Sequence, residues 1–282
     1  MKDLGRRLIV SVVSIGIVIA LLLFAYHPWF KYVVAGAVAC LTGIAIWEYE
    51  QFAKAKGGRM ILPALIVLTV LEVLSFFLAA QYPIFISSPL IILFIGVLVL
   101  FALHFGEKDG AVVDLAVSSF GLLYLAVPMG MLLGILYLGE GLDGRWWIAY
   151  LLIVTKITDI GAYFAGSLWG RRKLAPNISP GKTVEGAIFG LLCAVFASFG
   201  FHLLSEYSGA NQFHLGTIEW CSLGLVLGAI GQFGDLSESL LKRDANKKDS
   251  NSLPGLGGVL DSIDSLLFNA PILYIYLHFI KL

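Results

Sequence analysis

The chain has 282 residues, of which 59% are hydrophobic and only 13% charged, and its mean hydropathy is +0.88. Soluble domains carry about a quarter charged residues, so this composition excludes a water-soluble globule and points to a bilayer as the solvent. The 19 basic and 19 acidic residues cancel, so bulk charge argues neither for nor against a nucleic-acid partner; we expect none.

Met1 to Arg7 is basic, and an apolar run follows from Leu8 to about Ala25. The run is too long for a signal-peptide core and lacks a small-x-small cleavage site, so it reads as a retained first span. A spanning helix needs roughly 20 mainly apolar residues. Eight further runs meet that need: 30–49, 61–80, 84–105, 114–136, 146–169, 185–205, 220–237 and 259–280. Pro89 and the glycines near 228–234 threaten to break the fourth and eighth. The expected fold is therefore an all-α integral membrane protein of about nine transmembrane helices. Residues 1–145 would form an N-terminal, lipid-side scaffold of about five helices, and 146–282 about four helices carrying the chemistry.

Charge placement tests that count independently. With the N-terminus in the cytoplasm, the cytoplasmic segments hold Lys2, Arg6, Arg7, Lys54, Lys56, Arg59, Lys108, Arg171, Arg172, Lys173, Lys182, Lys242, Arg243, Lys247 and Lys248, 15 of the 19 basic residues. Lys31, Arg145 and Lys281 fall outside, and Lys156 lies within a span. Nine spans with a cytoplasmic N-terminus and a C-terminus on the opposite side preserve this asymmetry.

The three cysteines are scattered and the five histidines dispersed, which argues against a disulfide scaffold or a zinc site. Small residues four apart, as in Gly161–Ala165 and Gly224–Gly228, suit close helix packing in lipid. Glu72 stands alone in the third run, and Glu48 and Glu50 sit at a span end where solvation would suffice.

The sixth run contains Lys156-Ile-Thr158-Asp159-Ile-Gly161-Ala-Tyr163, with Lys156 and Asp159 on one helical face and able to pair. A basic loop follows, ending Ser179-Pro180-Gly181-Lys182-Thr183-Val-Glu185-Gly186. Its Gly-Lys-Thr is not a P-loop, because Pro176 occupies the place of the first glycine. Hydroxyls, backbone N–H groups and a lysine where a helix starts, at about Thr183, still suit a phosphate.

The densest polar stretch runs Gly234-Asp235-Leu-Ser237-Glu238-Ser239-Leu-Leu-Lys242-Arg243, then Lys247-Lys248-Asp249-Ser250, then Leu253-Pro254-Gly255-Leu256-Gly257-Gly258-Val-Leu-Asp261-Ser262-Ile-Asp264. Asp235 closes one apolar run, while Asp261 and Asp264 open the next. Clustered carboxylates at a lipid interface repel one another unless a cation lies between them. Oxygen-only ligation favours Mg²⁺ or Mn²⁺ over zinc. Lys242, Arg243 and Lys248 supply positive charge for phosphates, and Gly255, Gly257 and Gly258 let backbone approach a ligand. That combination suits metal-assisted phosphoryl or nucleotidyl transfer.

This stretch resembles the signature of the phosphatidate cytidylyltransferases, or CDP-diacylglycerol synthases. Thr158-Asp159-Ile-Gly161-Ala-Tyr163 and Ser179 to Gly186 resemble the family's other segments in the same order, so the likeness covers about residues 155–270. It implies that CTP and phosphatidate give CDP-diacylglycerol and pyrophosphate with Mg²⁺ at the cytoplasmic face of the inner membrane, in a homodimer. It further implies that Asp235 and Asp261 hold the metal with Asp264 close by. Lys242, Arg243, Lys248 and Asp249 would orient the triphosphate, with Lys182, Thr183 and Glu185 bordering the site; Asp159, Ser239, Gly257 and Gly258 complete the expected substrate-binding set. Two positions depart from the pattern: Leu256 replaces a usual His and Ser262 a usual Arg.

Two other readings compete. A CTP-dependent lipid-alcohol kinase, acting on a polyprenol or phytol, would need similar carboxylates and basic groups. An ion-coupled transporter could use Lys156, Asp159 and Glu72, but the polar residues gather at one membrane face and not near the midplane. No DxxDGxxAR pattern supports a CDP-alcohol phosphotransferase.

Overall fold

The computed structural model describes residues 2–106, 109–139, 143–208, 213–247 and 258–281. Helix follows helix: α1 (Lys2–Phe24), α2 (Phe30–Ala55), α3 (Leu62–Gln81), α4 (Ser88–His104), α5 (Ala111–Gly121) and α6 (Val127–Leu136), the last two joined by a π-helical turn at Leu122–Ala126. After α7 (Gly144–Trp169) come two short strands, β1 (Lys173–Ala175) and β2 (Ser179–Thr183), and then α8 (Val184–Ser208), α9 (Glu219–Asp244) and α10 (Val259–Tyr276). Six helical stretches among the described residues are long and apolar enough to cross a membrane: Phe30–Ala55, Leu62–Gln81, Pro83–His104, Ala111–Leu136, Gly144–Trp169 and Val184–Tyr207. The chain is an all-α membrane protein, with a small β-hairpin among the described residues.

The anticipated breakers do not break their helices. Pro89 falls in the first turn of α4, where a missing N–H costs nothing. The glycines of α9 lie in an unbroken helix of 26 residues because they serve close packing. A Cβ on Gly228 would sit 2.7 Å from Ala194 Cβ of α8, and one on Gly234 would sit 2.7 Å from the carbonyl oxygen of Asp264.

Two compact units emerge, Met1–Tyr137 with Asp244–Ile263, and Leu138–Arg243 with Asp264–Leu282. In the first, α3 packs against α2, α4 and α6 around Ile46, Leu65, Val73, Leu125 and Leu133. Arg59 N donates to Asp114 Oδ1 at 2.6 Å, and Lys56 pairs with Asp244 at 2.6 Å. Glu72 is buried here, its Oε2 without a hydrogen-bond partner among the described residues. Glu50 is buried beside Lys54 at 3.0 Å.

Glu48 corrects an expectation. It is not a solvated carboxylate at a span end; it is fully buried, and its two oxygens accept from Val259 N (3.0 Å) and Leu260 N (2.8 Å), the first two amides of α10. Those amides have no partner within their own helix, so a buried charge and two orphan donors satisfy one another.

In the second unit α7 and α8 lie against each other along a glycine seam. A Cβ on Gly186 would fall 2.6 Å from Ala162 O, and one on Gly190 would fall 2.9 Å from Thr158 O. Absence of side chains here allows near backbone-to-backbone contact, the usual solution in lipid. Asn269 of α10 donates to Thr155 Oγ1 of α7 at 2.9 Å. Trp147, Tyr150, Phe201 and Phe213 form an aromatic cluster in the same unit.

The basic segment after α7, expected as a loop, is the hairpin β1–β2. Its strands are antiparallel, with Lys173 opposite Thr183 and Ala175 opposite Ser179. Strands of three and five residues containing Pro180 and Gly181 carry no alternation by which a hairpin would be recognised.

Candidate active site

The site is assembled in the second unit from β2, α7, α9 and the part of α10 beyond Ile263. The hairpin owes its position to three contacts. Glu185, in the first turn of α8, accepts from Arg171 N at 3.0 Å and from Arg172 N, which closes the hairpin base. Lys182 Nζ reaches Asp235 Oδ2 of α9 at 2.7 Å. Arg243 Nε, in the last turn of α9, donates to Ile178 O in the hairpin turn at 3.1 Å. Two cationic side chains proposed for phosphate binding therefore also fasten the hairpin to α9.

Thr183 is buried where β2 becomes α8, and its Oγ1 accepts from Gly186 N at 3.2 Å. That is an N-cap bond, the reason a hydroxyl is favoured at this place. Gly166, Gly170 and Gly186 surround the same hydroxyl so closely that a Cβ on any of them would come within about 3.0 Å of it. Thr183 thus sets the direction in which α8 leaves the hairpin and Lys182 faces α9.

Three carboxylates meet electrostatically. Asp264 is buried, one oxygen accepting from Ser265 N at 2.6 Å, and it feels the charges of Asp235, Asp159 and Lys156. Asp159 in turn feels Lys156, Asp235 and Lys182. The Lys156–Asp159 pair on α7 is long, 3.9 Å, so the lysine neutralises that aspartate only loosely. Three carboxylates and two lysines therefore share one neighbourhood, where a bound cation would relieve repulsion between the acids.

On α9, Ser239 lies one turn after Asp235, its Oγ 3.5 Å from Asp235 Oδ1. Lys242 pairs with Glu238, whose carboxylate is wholly buried. Glu238 is a residue that sequence reasoning quoted without assigning it; its i,i+4 spacing to Lys242 was the available signal. A cleft of about 380 Å³ opens at the hairpin base, lined by Leu168, Trp169, Gly170, Arg171 and Glu185.

In the first unit, Asp261 stands in the first turn of α10. Its Oδ2 accepts from Gly258 N at 2.9 Å, the reach-back half of a capping box, and Ser262 Oγ donates to Gly258 O at 3.1 Å. The serine that departs from the family pattern therefore serves its own helix start. Lys248, Asp249, Leu256 and Gly257 lie outside the described residues.

Among the described residues, no three His, Cys, Asp or Glu side chains are gathered as a ready-made metal cage. The donor chemistry of the second unit nevertheless suits a hard divalent cation, because Asp159, Asp235, Asp264 and Ser239 offer oxygen alone.

The cytidylyltransferase family matches residues 5–280, nearly the whole chain. The chain belongs to the cytidylyltransferase family. It is 34% identical over 284 aligned residues to a phosphatidate cytidylyltransferase of Chlamydia pneumoniae, an alignment covering 98% of this chain and 92% of that protein. A phosphatidate cytidylyltransferase of Bacillus subtilis is 33% identical with 98% of both chains covered, and one of Haemophilus influenzae is 32% identical with 98% and 99% covered. Family membership thus extends over the N-terminal helices, where no individual motif had indicated it.

Proposed function

We propose that this protein transfers the cytidylyl group of CTP to phosphatidate, giving CDP-diacylglycerol and pyrophosphate. The observation that carries this reading is the junction of Lys182, Asp235 and Asp264 beneath the Arg243-tethered hairpin, in a chain matched end to end by the cytidylyltransferase family. A phosphate oxygen of phosphatidate forms a bond to the CTP α-phosphorus as the bond to the β-phosphate oxygen breaks, and pyrophosphate leaves. No covalent enzyme intermediate is required. Positioning and charge neutralisation supply the catalysis.

Lys182, Lys242 and Arg243, with Lys248, bind and orient the triphosphate and offset its growing charge. Asp249 and Ser239 hold polar groups at the rim, and Gly257 and Gly258 let backbone amides come near the nucleotide. Asp159 and Asp264 set the negative field in which Lys156 and Lys182 are placed. Mg²⁺ or Mn²⁺, held by Asp235 and Asp261, would neutralise phosphate oxygens and align the displacement. The cleft beside the hairpin, with Leu168 and Trp169 next to Arg171, has the mixed apolar and cationic lining that a lipid headgroup demands.

The basic residues favour nine spans with the site at the cytoplasmic face of the bacterial inner membrane, where CTP is present. Residues 1–145 serve as the lipid-side scaffold and 146–282 carry the catalysis, in a homodimer. The test is purified protein incubated with phosphatidate and CTP labelled at the α-phosphorus, with and without Mg²⁺. Lipid-linked α-label is expected; label transferred only from the γ-position would instead make the enzyme a lipid-alcohol kinase. Asp261→Asn is expected to abolish turnover without loss of membrane insertion, and retained activity would remove its metal role.

A further inference from the structure

Every residue assigned so far belongs to the C-terminal half, yet the first turn of α10 is held from α2. Glu48 is wholly buried, and its carboxylate accepts the first two amides of α10, Val259 N at 3.0 Å and Leu260 N at 2.8 Å. Asp261 accepts the preceding amide, Gly258 N, with its own Oδ2. Three consecutive orphan donors are thus divided between two carboxylates, one from α2 and one from α10 itself. The arrangement leaves little freedom in the height and rotation of the first turn. A charged acceptor at a buried helix start binds more firmly than a neutral one, because its hydrogen bonds are charge-assisted and the helix dipole favours negative charge there.

We infer that Glu48 is a positioning residue for the reaction: it clamps the start of α10 and thereby fixes Asp261. This rests on the cytidylyltransferase reading for its consequence, but the clamp itself does not. Without the carboxylate, Val259 N and Leu260 N lose their acceptors. Asp261 can then swing to serve them, and the oxygen that should face the site is drawn into the helix start.

The experiment compares wild type, Glu48→Gln and Glu48→Asp in detergent micelles by two readouts. The first is amide hydrogen exchange over residues 258–264. Glu48→Gln retains one acceptor and presents an NH₂ to the other amide, so exchange in this turn should rise about tenfold while the rest of the first unit is unchanged. The second is steady-state cytidylyl transfer. Displacing Asp261 by about an ångström should lower kcat about 100-fold, whereas KM for CTP, set mainly by the cationic groups Lys182, Lys242, Arg243 and Lys248, should move less than about threefold. Glu48→Asp keeps the buried charge but is one methylene short, and should lose about tenfold in kcat with KM again held. It also decides the matter if the Gln variant does not fold.

Loosened exchange with unchanged kcat would overturn the positioning role, and unchanged exchange would overturn the clamp. Parallel loss in kcat and rise in KM, with exchange raised throughout the unit, would reduce Glu48 to general stability and also overturn the proposal. A wild type that transfers no cytidylyl group but shows the exchange difference would sink the catalytic reading and leave the clamp standing.

Discussion

Lys182 Nζ lies 2.7 Å from Asp235 Oδ2, joining the β-hairpin to α9 through two side chains that are each about a quarter to a third exposed. The pair couples the two elements that the family signature treats as separate motifs. Half-buried pairs of this kind hold geometry more than they add stability.

Lys182→Met should therefore lower kcat/KM for CTP by about 10- to 100-fold, the loss expected for one charge-assisted contact to phosphate. Stability should fall by no more than about 1 kcal/mol. Steady-state assays with α-labelled CTP and thermal unfolding in detergent give both numbers. A double-mutant cycle with Asp235→Asn should return a coupling near 1 kcal/mol in stability.

Asp264→Asn removes one of three carboxylates that repel one another. Its effects should have opposite signs: turnover falls by about 100-fold or more, while the unfolding temperature stays level or rises. A drop in both would mean that Asp264 is needed chiefly for packing against Gly234.

The hairpin base depends on Glu185 and two backbone amides. In Glu185→Ala those amides lose their acceptor, and tryptic cutting after Arg171 and Arg172, both exposed, should accelerate about tenfold through easier local opening. Cutting elsewhere should be unaffected. Timed proteolysis with mass analysis of the fragments reads the result.

Gly186→Ala tests the seam between α7 and α8. Its new Cβ meets the Ala162 carbonyl oxygen and Gly166 Cα, both backbone atoms that cannot rotate away. A cost of about 1–3 kcal/mol is expected, seen as a lower unfolding temperature. Gly181→Ala, where nothing lies within 4 Å of the added carbon, is the matched control and should be close to neutral.

Much of this architecture was legible because long apolar helices announce themselves by hydropathy alone. Each of the nine apolar runs coincides with a helix or with the α5–α6 pair, and six of these stretches, among the described residues, are long and apolar enough to cross a membrane. Asp159, Asp235 and Asp264 were legible for the same reason, as charges that an apolar run would not carry without cause. The hairpin was not, since strands this short have no periodicity to read. Nor was Glu48: its partners are backbone amides 211 and 212 positions away, and nothing in the local sequence distinguishes a clamping carboxylate from a solvated one. Thr183 was found for its hydroxyl, but its bond is to a helix start, a distinction of direction that composition does not carry.

The same separation has a consequence for how the protein is made. At roughly 5–20 residues per second, α2 is synthesised well before Val259 emerges, and Glu48 enters the membrane while its partners do not yet exist. The last helix to be inserted therefore completes a contact begun by the second, and a chain cut short before α10 would lack the two amides that Glu48 accepts in the finished fold. Such truncated chains should be poor survivors of membrane quality control, with selection against them beginning at a residue far from the chemistry.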